Sequence, residues 1–176
     1  QEPLVVQLNM PNNPGWTYRN NKWFYYDEKG SPYSGWLLYQ NRWYFLNNDG
    51  EMKTSWILWN SKWYYLNKDG TMKTGWILYN NQWYYLNNNG EMRIGWLYNG
   101  GKWYYFNNSG EMAKGWKYSG GKWYYLNSTG EMKTGWHKES TKWYYLRTDG
   151  SMAINALTIN GSNYYFARNG EWIPNP

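Results

Sequence analysis

Glycine returns at a fixed interval of 20 residues, at Gly30, Gly50, Gly70, Gly90, Gly110, Gly130, Gly150 and Gly170, with no gap. A period of that length marks a repeat architecture, in which each repeat is one small supersecondary element that buries its apolar face only against its neighbours. Two positions after six of these glycines stands a methionine: Met52, Met72, Met92, Met112, Met132 or Met152. One tryptophan series runs Trp16, Trp36, Trp56, Trp76, Trp96, Trp116 and Trp136. A second runs Trp23, Trp43, Trp63, Trp83, Trp103, Trp123 and Trp143, each followed by two more aromatic residues. The repeat reads G-W-x5-(K/R/Q)-W-Y-Y-L-N-x-x-G-x-M.

Each repeat predicts a β-hairpin. Gly75-Trp76-Ile77-Leu78-Tyr79 and Gln82-Trp83-Tyr84-Tyr85-Leu86 are rich in strand-forming residues, and Asn80-Asn81 between them is hairpin-turn chemistry. Asn87-Asn88-Asn89-Gly90 reads as a second turn. A two-residue turn at 80–81 sets Trp76 opposite Tyr85 and Leu78 opposite Trp83, all on one face. Ile77, Tyr79, Tyr84 and Leu86 take the other face, the one expected to pack against neighbouring hairpins. Leu46, Leu66, Leu86, Leu126 and Leu146 are expected core. The fold class is therefore all-β, a solenoid of stacked hairpins. It spans residues 15–176 in about eight hairpins, after a lead-in segment over residues 1–14. The last hairpin is degenerate, because Asn155-Ala156 replaces Gly-Trp and Asn163 replaces the second tryptophan.

Composition narrows the function. The 16 Trp and 21 Tyr rule out a disordered chain, which would be poor in aromatics. With no Cys there is no disulfide, thiol nucleophile or thiolate metal site, and one His cannot build a multi-histidine metal centre. No metal and no cofactor are expected. No apolar run nears the roughly 18 residues that a membrane-spanning helix needs, so no membrane insertion is expected. A net charge of +6 favours an anionic partner without naming it. The carboxylates Asp49, Asp69 and Asp149 and the glutamates Glu51, Glu91, Glu111, Glu131 and Glu171 recur with the repeat, so they read as turn residues. None reads as part of a catalytic pair, and no enzyme is expected. His137 fills a variable hairpin position and reads as a surface histidine.

Two tryptophans and a tyrosine converging beneath the next hairpin make a three-walled aromatic box, suited to quaternary ammonium groups that lack N–H donors. Three rings at roughly 1–2 kcal/mol each imply about millimolar affinity per site, which several sites along one chain raise by multivalency.

The repeat quoted as Thr74-Gly75-Trp76, through Trp83-Tyr84-Tyr85-Leu86-Asn87, to Gly90-Glu91-Met92 resembles the choline-binding repeat of pneumococcal and related surface proteins. The resemblance covers about Gly15 to Gly170. It implies a β-solenoid that holds choline between consecutive repeats, in boxes made of both tryptophans of one repeat and an aromatic of the next, often with a Met nearby. Carried onto this chain, the boxes are Trp36, Trp43 and Tyr65; Trp56, Trp63 and Tyr85; Trp76, Trp83 and Tyr105; Trp96, Trp103 and Tyr125; and Trp116, Trp123 and Tyr145. The second tyrosine of each Trp-Tyr-Tyr is chosen because it shares the tryptophan face. Two end boxes, Trp16, Trp23 and Phe45, and Trp136, Trp143 and Tyr165, depart further from the pattern. Met72, Met92 and Met112 are candidate walls, although the methionine series also reads as gap-filling core.

The resemblance also implies the partner and the place. These are choline or phosphocholine on teichoic and lipoteichoic acids, bound by a secreted protein held non-covalently on the outside of a Gram-positive wall. The chain would then be a small stand-alone surface protein or the anchoring module of a larger one, and a homodimer through the C-terminal hairpins stays open. Two rivals stand beside this reading. Similar aromatic repeats bind glucans, although sugar recognition normally adds polar side chains that fix the hydroxyls. Base stacking with positive charge would suit nucleic acid, but Lys and Arg are scattered without a basic stripe, so no nucleic acid is expected. The aromatics could also be nothing but core.

Overall fold

The computed structural model describes residues 15–175, and the expected lead-in segment at 1–14 lies outside them. The described residues form strands and turns with no helix. Strand β1 (Gly15–Arg19) pairs with β2 (Lys22–Tyr26), β3 (Gly35–Tyr39) with β4 (Arg42–Leu46), β5 (Ser55–Trp59) with β6 (Lys62–Leu66), and β7 (Gly75–Tyr79) with β8 (Gln82–Leu86). The series continues with β9 (Gly95–Asn99) on β10 (Lys102–Phe106), β11 (Gly115–Ser119) on β12 (Lys122–Leu126), and β13 (Gly135–Glu139) on β14 (Lys142–Leu146). β15 (Asn155–Ile159) pairs with β16 (Ser162–Phe166), which also carries β17 (Trp172–Ile173).

The register is the one the turn chemistry requires. In β5–β6, Trp56 faces Tyr65, Ile57 faces Tyr64 and Leu58 faces Trp63. The two turn residues carry positive φ, 47° at Asn60 and 62° at Ser61, or 57° and 81° at Gly100 and Gly101. Two consecutive left-handed residues make a turn whose twist matches the paired strands, and Asn and Gly bear that conformation at least cost.

From β1–β2 to β13–β14, a backbone bond that recurs with the repeat ties each hairpin to the next. Met52 N–H donates to the Trp23 carbonyl, and Met72 N–H to the Trp43 carbonyl, both at 2.8 Å. Met132 on Trp103 (2.8 Å) and Met152 on Trp123 (2.7 Å) repeat the link. The methionine side chain then decides the glycine that follows. A Cβ at Gly90 would stand 2.3 Å from Met72 Sδ, at a residue whose φ is already +88°. Only glycine satisfies both the turn and the contact.

By their internal contacts the described residues divide into two compact units, 15–77 with 85–92, and 78–84 with 93–175. In the first, Leu46, Leu66 and Leu86 are fully buried, and Ile57, Tyr64 and Leu66 pack with Trp36, Phe45 and Met72. In the second, Phe106, Leu126, Leu146, Ala153 and Phe166 are fully or almost fully buried, and Trp172 of β17 packs at the end of that core. The leucines expected as core are core.

Candidate functional site

The hairpins stack face to back. The tryptophan face of β3–β4 meets the opposite face of β5–β6, so Trp36 packs on Tyr64 at 4.9 Å and on Trp59 at 6.3 Å, both edge-on. Trp43 stands at right angles to Trp36, at 6.4 Å. These rings, with Met72, Asn88 and Asn89, enclose a cavity of about 380 Å3. That volume lies in the range of small-molecule sites. Tyr64 is buried and fixed, whereas Trp43 keeps 41% of its surface open. Burial pushes the Tyr64 hydroxyl up from its ordinary pKa, so that ring stays neutral.

The second compact unit repeats the geometry with other neighbours. Trp96, Trp103, Tyr124, Met132, Thr148 and Asp149 line a cavity of about 340 Å3. Trp96 meets Tyr124 at 4.8 Å and Trp103 at 6.3 Å. Where Trp36 has the ring of Trp59, Trp96 has Ser119, whose hydroxyl accepts the Trp96 indole N–H at 3.3 Å. Asp149 Oδ1 accepts the Ser151 hydroxyl at 2.6 Å and the Ser151 N–H at 2.9 Å. These bonds hold its carboxyl below the usual carboxylate range and keep it ionised at neutral pH.

The same contacts recur elsewhere. Trp16 meets Tyr44 at 4.9 Å and Tyr39 at 6.1 Å; Trp116 meets Tyr144 at 5.1 Å; Trp136 meets Tyr164 at 5.0 Å and Trp172 at 6.1 Å. Beside Trp116 stand Glu139, whose Oε2 accepts the indole N–H at 3.0 Å, and His137, 5.7 Å from the ring. His137 is 6% exposed, so the expectation of a surface histidine is overturned. Its hairpin position points into the stack, where Leu37 and Ile57 are also buried.

The choice of third ring needs the same correction. In the two cavities the aromatic from the next hairpin is the first tyrosine of Trp-Tyr-Tyr, Tyr64 and Tyr124, in place of the expected Tyr65 and Tyr125. At Trp16, Trp116 and Trp136 it is likewise Tyr44, Tyr144 and Tyr164, where Phe45, Tyr145 and Tyr165 were expected. The reason is the stacking. A residue that shares the tryptophan face of its own hairpin points away from the preceding tryptophans, and only the opposite face reaches them. The expected tyrosines instead brace the first tryptophan of their own repeat: Tyr65 on Trp56 at 5.2 Å, Tyr85 on Trp76 at 5.3 Å, Tyr105 on Trp96 at 5.1 Å and Tyr125 on Trp116 at 5.2 Å. Phe45 and Tyr145 do the same for Trp36 and Trp136 at 5.1 Å, and Tyr165 is half exposed. Of the three candidate methionines, Met72 lines a cavity; Met92 and Met112 donate N–H to the Trp63 and Trp83 carbonyls at 2.8 Å. Met132 lines the second cavity. Trp63 and Trp83 keep 42% and 40% of their surface open, matching Trp43.

Among the described residues no group of three or more His, Cys, Asp or Glu could hold a metal, and no helix is long and apolar enough to cross a membrane.

No curated protein sequence matches the chain. Solved structures do. Choline binding protein F of Streptococcus pneumoniae is 41% identical, with a TM-score of 0.77 over 92% of this chain and 58% of that one. CbpJ of Streptococcus pneumoniae is 40% identical, with a TM-score of 0.80 over the same shares. Choline binding protein F in complex with ipratropium is 38% identical, with a TM-score of 0.76 over 92% of this chain and 60% of that one. The chain thus spans less than two thirds of these relatives. The cell wall binding repeat profile matches residues 34–52 and 157–171. The choline-binding repeat profile matches 53–95, 73–115, 94–134 and 113–157, more than half the chain; it includes every residue that lines the second cavity and, of the first, Trp59, Tyr64, Met72, Asn88 and Asn89. With its hairpin stack and its paired tryptophans, the chain belongs to the choline-binding repeat family.

Proposed function

We propose that the aromatic cavities take the trimethylammonium head of choline, and that several of them together anchor the chain to choline-bearing teichoic and lipoteichoic acids outside a Gram-positive wall. The carrying observation is the cavity of Trp36, Trp43, Trp59 and Tyr64, whose rings surround one volume with a half-open tryptophan at its mouth. A quaternary ammonium offers no hydrogen-bond donor, so a site built from ring quadrupoles and methyl packing suits it better than a site of polar side chains. Ipratropium, the ligand of the related complex, carries a quaternary ammonium too. Three or four rings yield roughly 3–6 kcal/mol gross, hence about millimolar affinity at one cavity. A polymer that presents many cholines binds far more tightly, because each further contact is intramolecular.

The test is a titration of choline chloride against intrinsic tryptophan fluorescence, with sodium chloride and a glucan oligosaccharide in parallel. A saturable change specific to choline is expected. A response to the glucan and none to choline would move the function to carbohydrate binding, and silence to both would leave the rings as core alone.

A further inference from the structure

The cation that precedes the second tryptophan is neutralised in several repeats. Lys22 Nζ lies 2.8 Å from Glu51, Lys102 Nζ 3.8 Å from Glu131, and Lys142 Nζ 3.3 Å from Glu171, a carboxylate 29 positions on in each case. At Arg42 that later position is Thr71, which is buried. Thr71 donates its hydroxyl at 2.5 Å and its N–H at 3.0 Å to Asp69 Oδ1, and these bonds, with a smaller pull from the Arg42 guanidinium, hold the Asp69 carboxyl below the usual carboxylate range. Arg42 forms no ion pair within 4 Å among the described residues.

Arg42 lines a cavity of its own. With Gln40, Asn41, Thr71 and Thr74 it bounds about 420 Å3, and this space shares the walls Trp43 and Met72 with the aromatic cavity. Amide, hydroxyl and guanidinium groups therefore line a space that adjoins, at Trp43 and Met72, the one lined by the rings. Guanidinium suits phosphate geometry, with paired N–H donors in one plane. The rim of the aromatic cavity is neutral here, formed by Asn88 and Asn89. At the Trp96 cavity the corresponding rim holds Asp149, and the corresponding cation, Lys102, is paired with Glu131.

We infer that the Trp36–Trp43 cavity recognises phosphocholine as a whole, with trimethylammonium among the rings and phosphate on Arg42, whereas the Trp96–Trp103 cavity recognises only the cation. The inference rests on the choline reading proposed above and names the second half of the ligand at one site.

The experiment follows the indole N–H signals of Trp36, Trp43, Trp96 and Trp103 by 15N NMR, assigned with single Trp→Phe variants, during separate titrations with choline and with phosphocholine. At Trp36 and Trp43, phosphocholine is expected to saturate at about fivefold lower concentration than choline, and at Trp96 and Trp103 it gains nothing. Arg42→Gln removes the preference for phosphocholine at Trp36 and Trp43. Thr71→Glu, which installs the carboxylate found at Glu51 and Glu131, removes it as well. Equal affinities for the two ligands at Trp43, or an Arg42→Gln loss shared equally by both, would overturn the phosphate seat while the choline reading stands. If neither ligand moves any indole signal, both readings fall. Co-sedimentation with phosphatidylcholine vesicles then separates a lipid headgroup from a polymer-borne ester as the source, and the seat stands in either case.

Discussion

The Trp36 and Trp96 cavities share two tryptophans, one tyrosine and one methionine, and differ in everything else that touches them. At Trp36 the further wall is the ring of Trp59 and the rim is Asn88 and Asn89; at Trp96 Ser119 replaces the ring and the rim carries the ionised Asp149. On the proposed function, the first cavity would hold a cation by polarisable surface, and the second would replace part of that surface with charge. Ring contacts are little affected by salt, whereas a carboxylate at an open rim is screened. The repeat thus fixes the shape of the site, while its variable positions set the kind of attraction inside it.

The largest effect concerns the scaffold common to both. Gly90→Ala must keep a left-handed φ and also displace Met72 from its packed place, so it should cost about 3 kcal/mol in urea unfolding. Gly75→Ala shares the positive φ of +82° but meets nothing within 4 Å, and should cost only about 1 kcal/mol. Equal losses would show that Met72 is not the reason for the glycine. At the ligand, Trp43→Ala should weaken choline at its own cavity about tenfold, with one of the enclosing rings gone, and leave the Trp103 indole signals untouched.

Smaller changes separate the two modes of attraction. Trp59→Ser should weaken choline at Trp36 by about fivefold, in low and high salt alike. Asp149→Asn should weaken choline at Trp96 by about twofold at low salt and by nothing measurable at 1 M, followed by indole NMR. A salt-insensitive loss at Asp149→Asn would erase the contrast.

The smallest effect is a pH dependence. Burial, and Lys133 next to it, hold the His137 pKa below its ordinary value of 6.5, against a smaller opposing pull from Glu139. Lys133 Nζ lies 3.1 Å from Nδ1, and Glu139 Oε1 lies 3.8 Å from Nε2. Tyr125 covers the ring, with Trp116 and Tyr144 nearby. A base whose folded pKa is depressed binds its proton more readily when unfolded. Its neutral form therefore contributes stability that is complete above pH 6.5 and is lost as pH falls through the folded pKa. His137→Leu, the residue at Leu37 and Leu97, should remove that loss in urea unfolding followed from pH 7.5 downward.

Most of the architecture was legible in the repeat. The glycine interval, the Asn-Asn and Gly-Gly turns and the alternation across each strand led to hairpins, register and core leucines, because hairpin geometry is local. The third ring was not, because Tyr64 and Tyr65 are equally aromatic neighbours and choosing between them needs the direction of stacking. That direction lies in contacts about 28 residues apart, such as Trp36 on Tyr64. The Met-to-Trp backbone bonds carry no side-chain signature either. His137 was misread for a similar reason. Its position is variable in chemistry, with Leu37, Ile57 and Lys117 at equivalent places, yet Leu37 and Ile57 are buried there as His137 is.

The most direct test compares choline with 3,3-dimethyl-1-butanol, its neutral isostere of nearly equal shape, by indole NMR at Trp43 and Trp103. Choline should bind both cavities at about millimolar concentration, and the isostere should bind at least tenfold more weakly, since only the cation meets the ring quadrupoles. Equal binding of the two ligands would show that the cavities accept apolar shape alone, and would contradict their assignment to a quaternary ammonium.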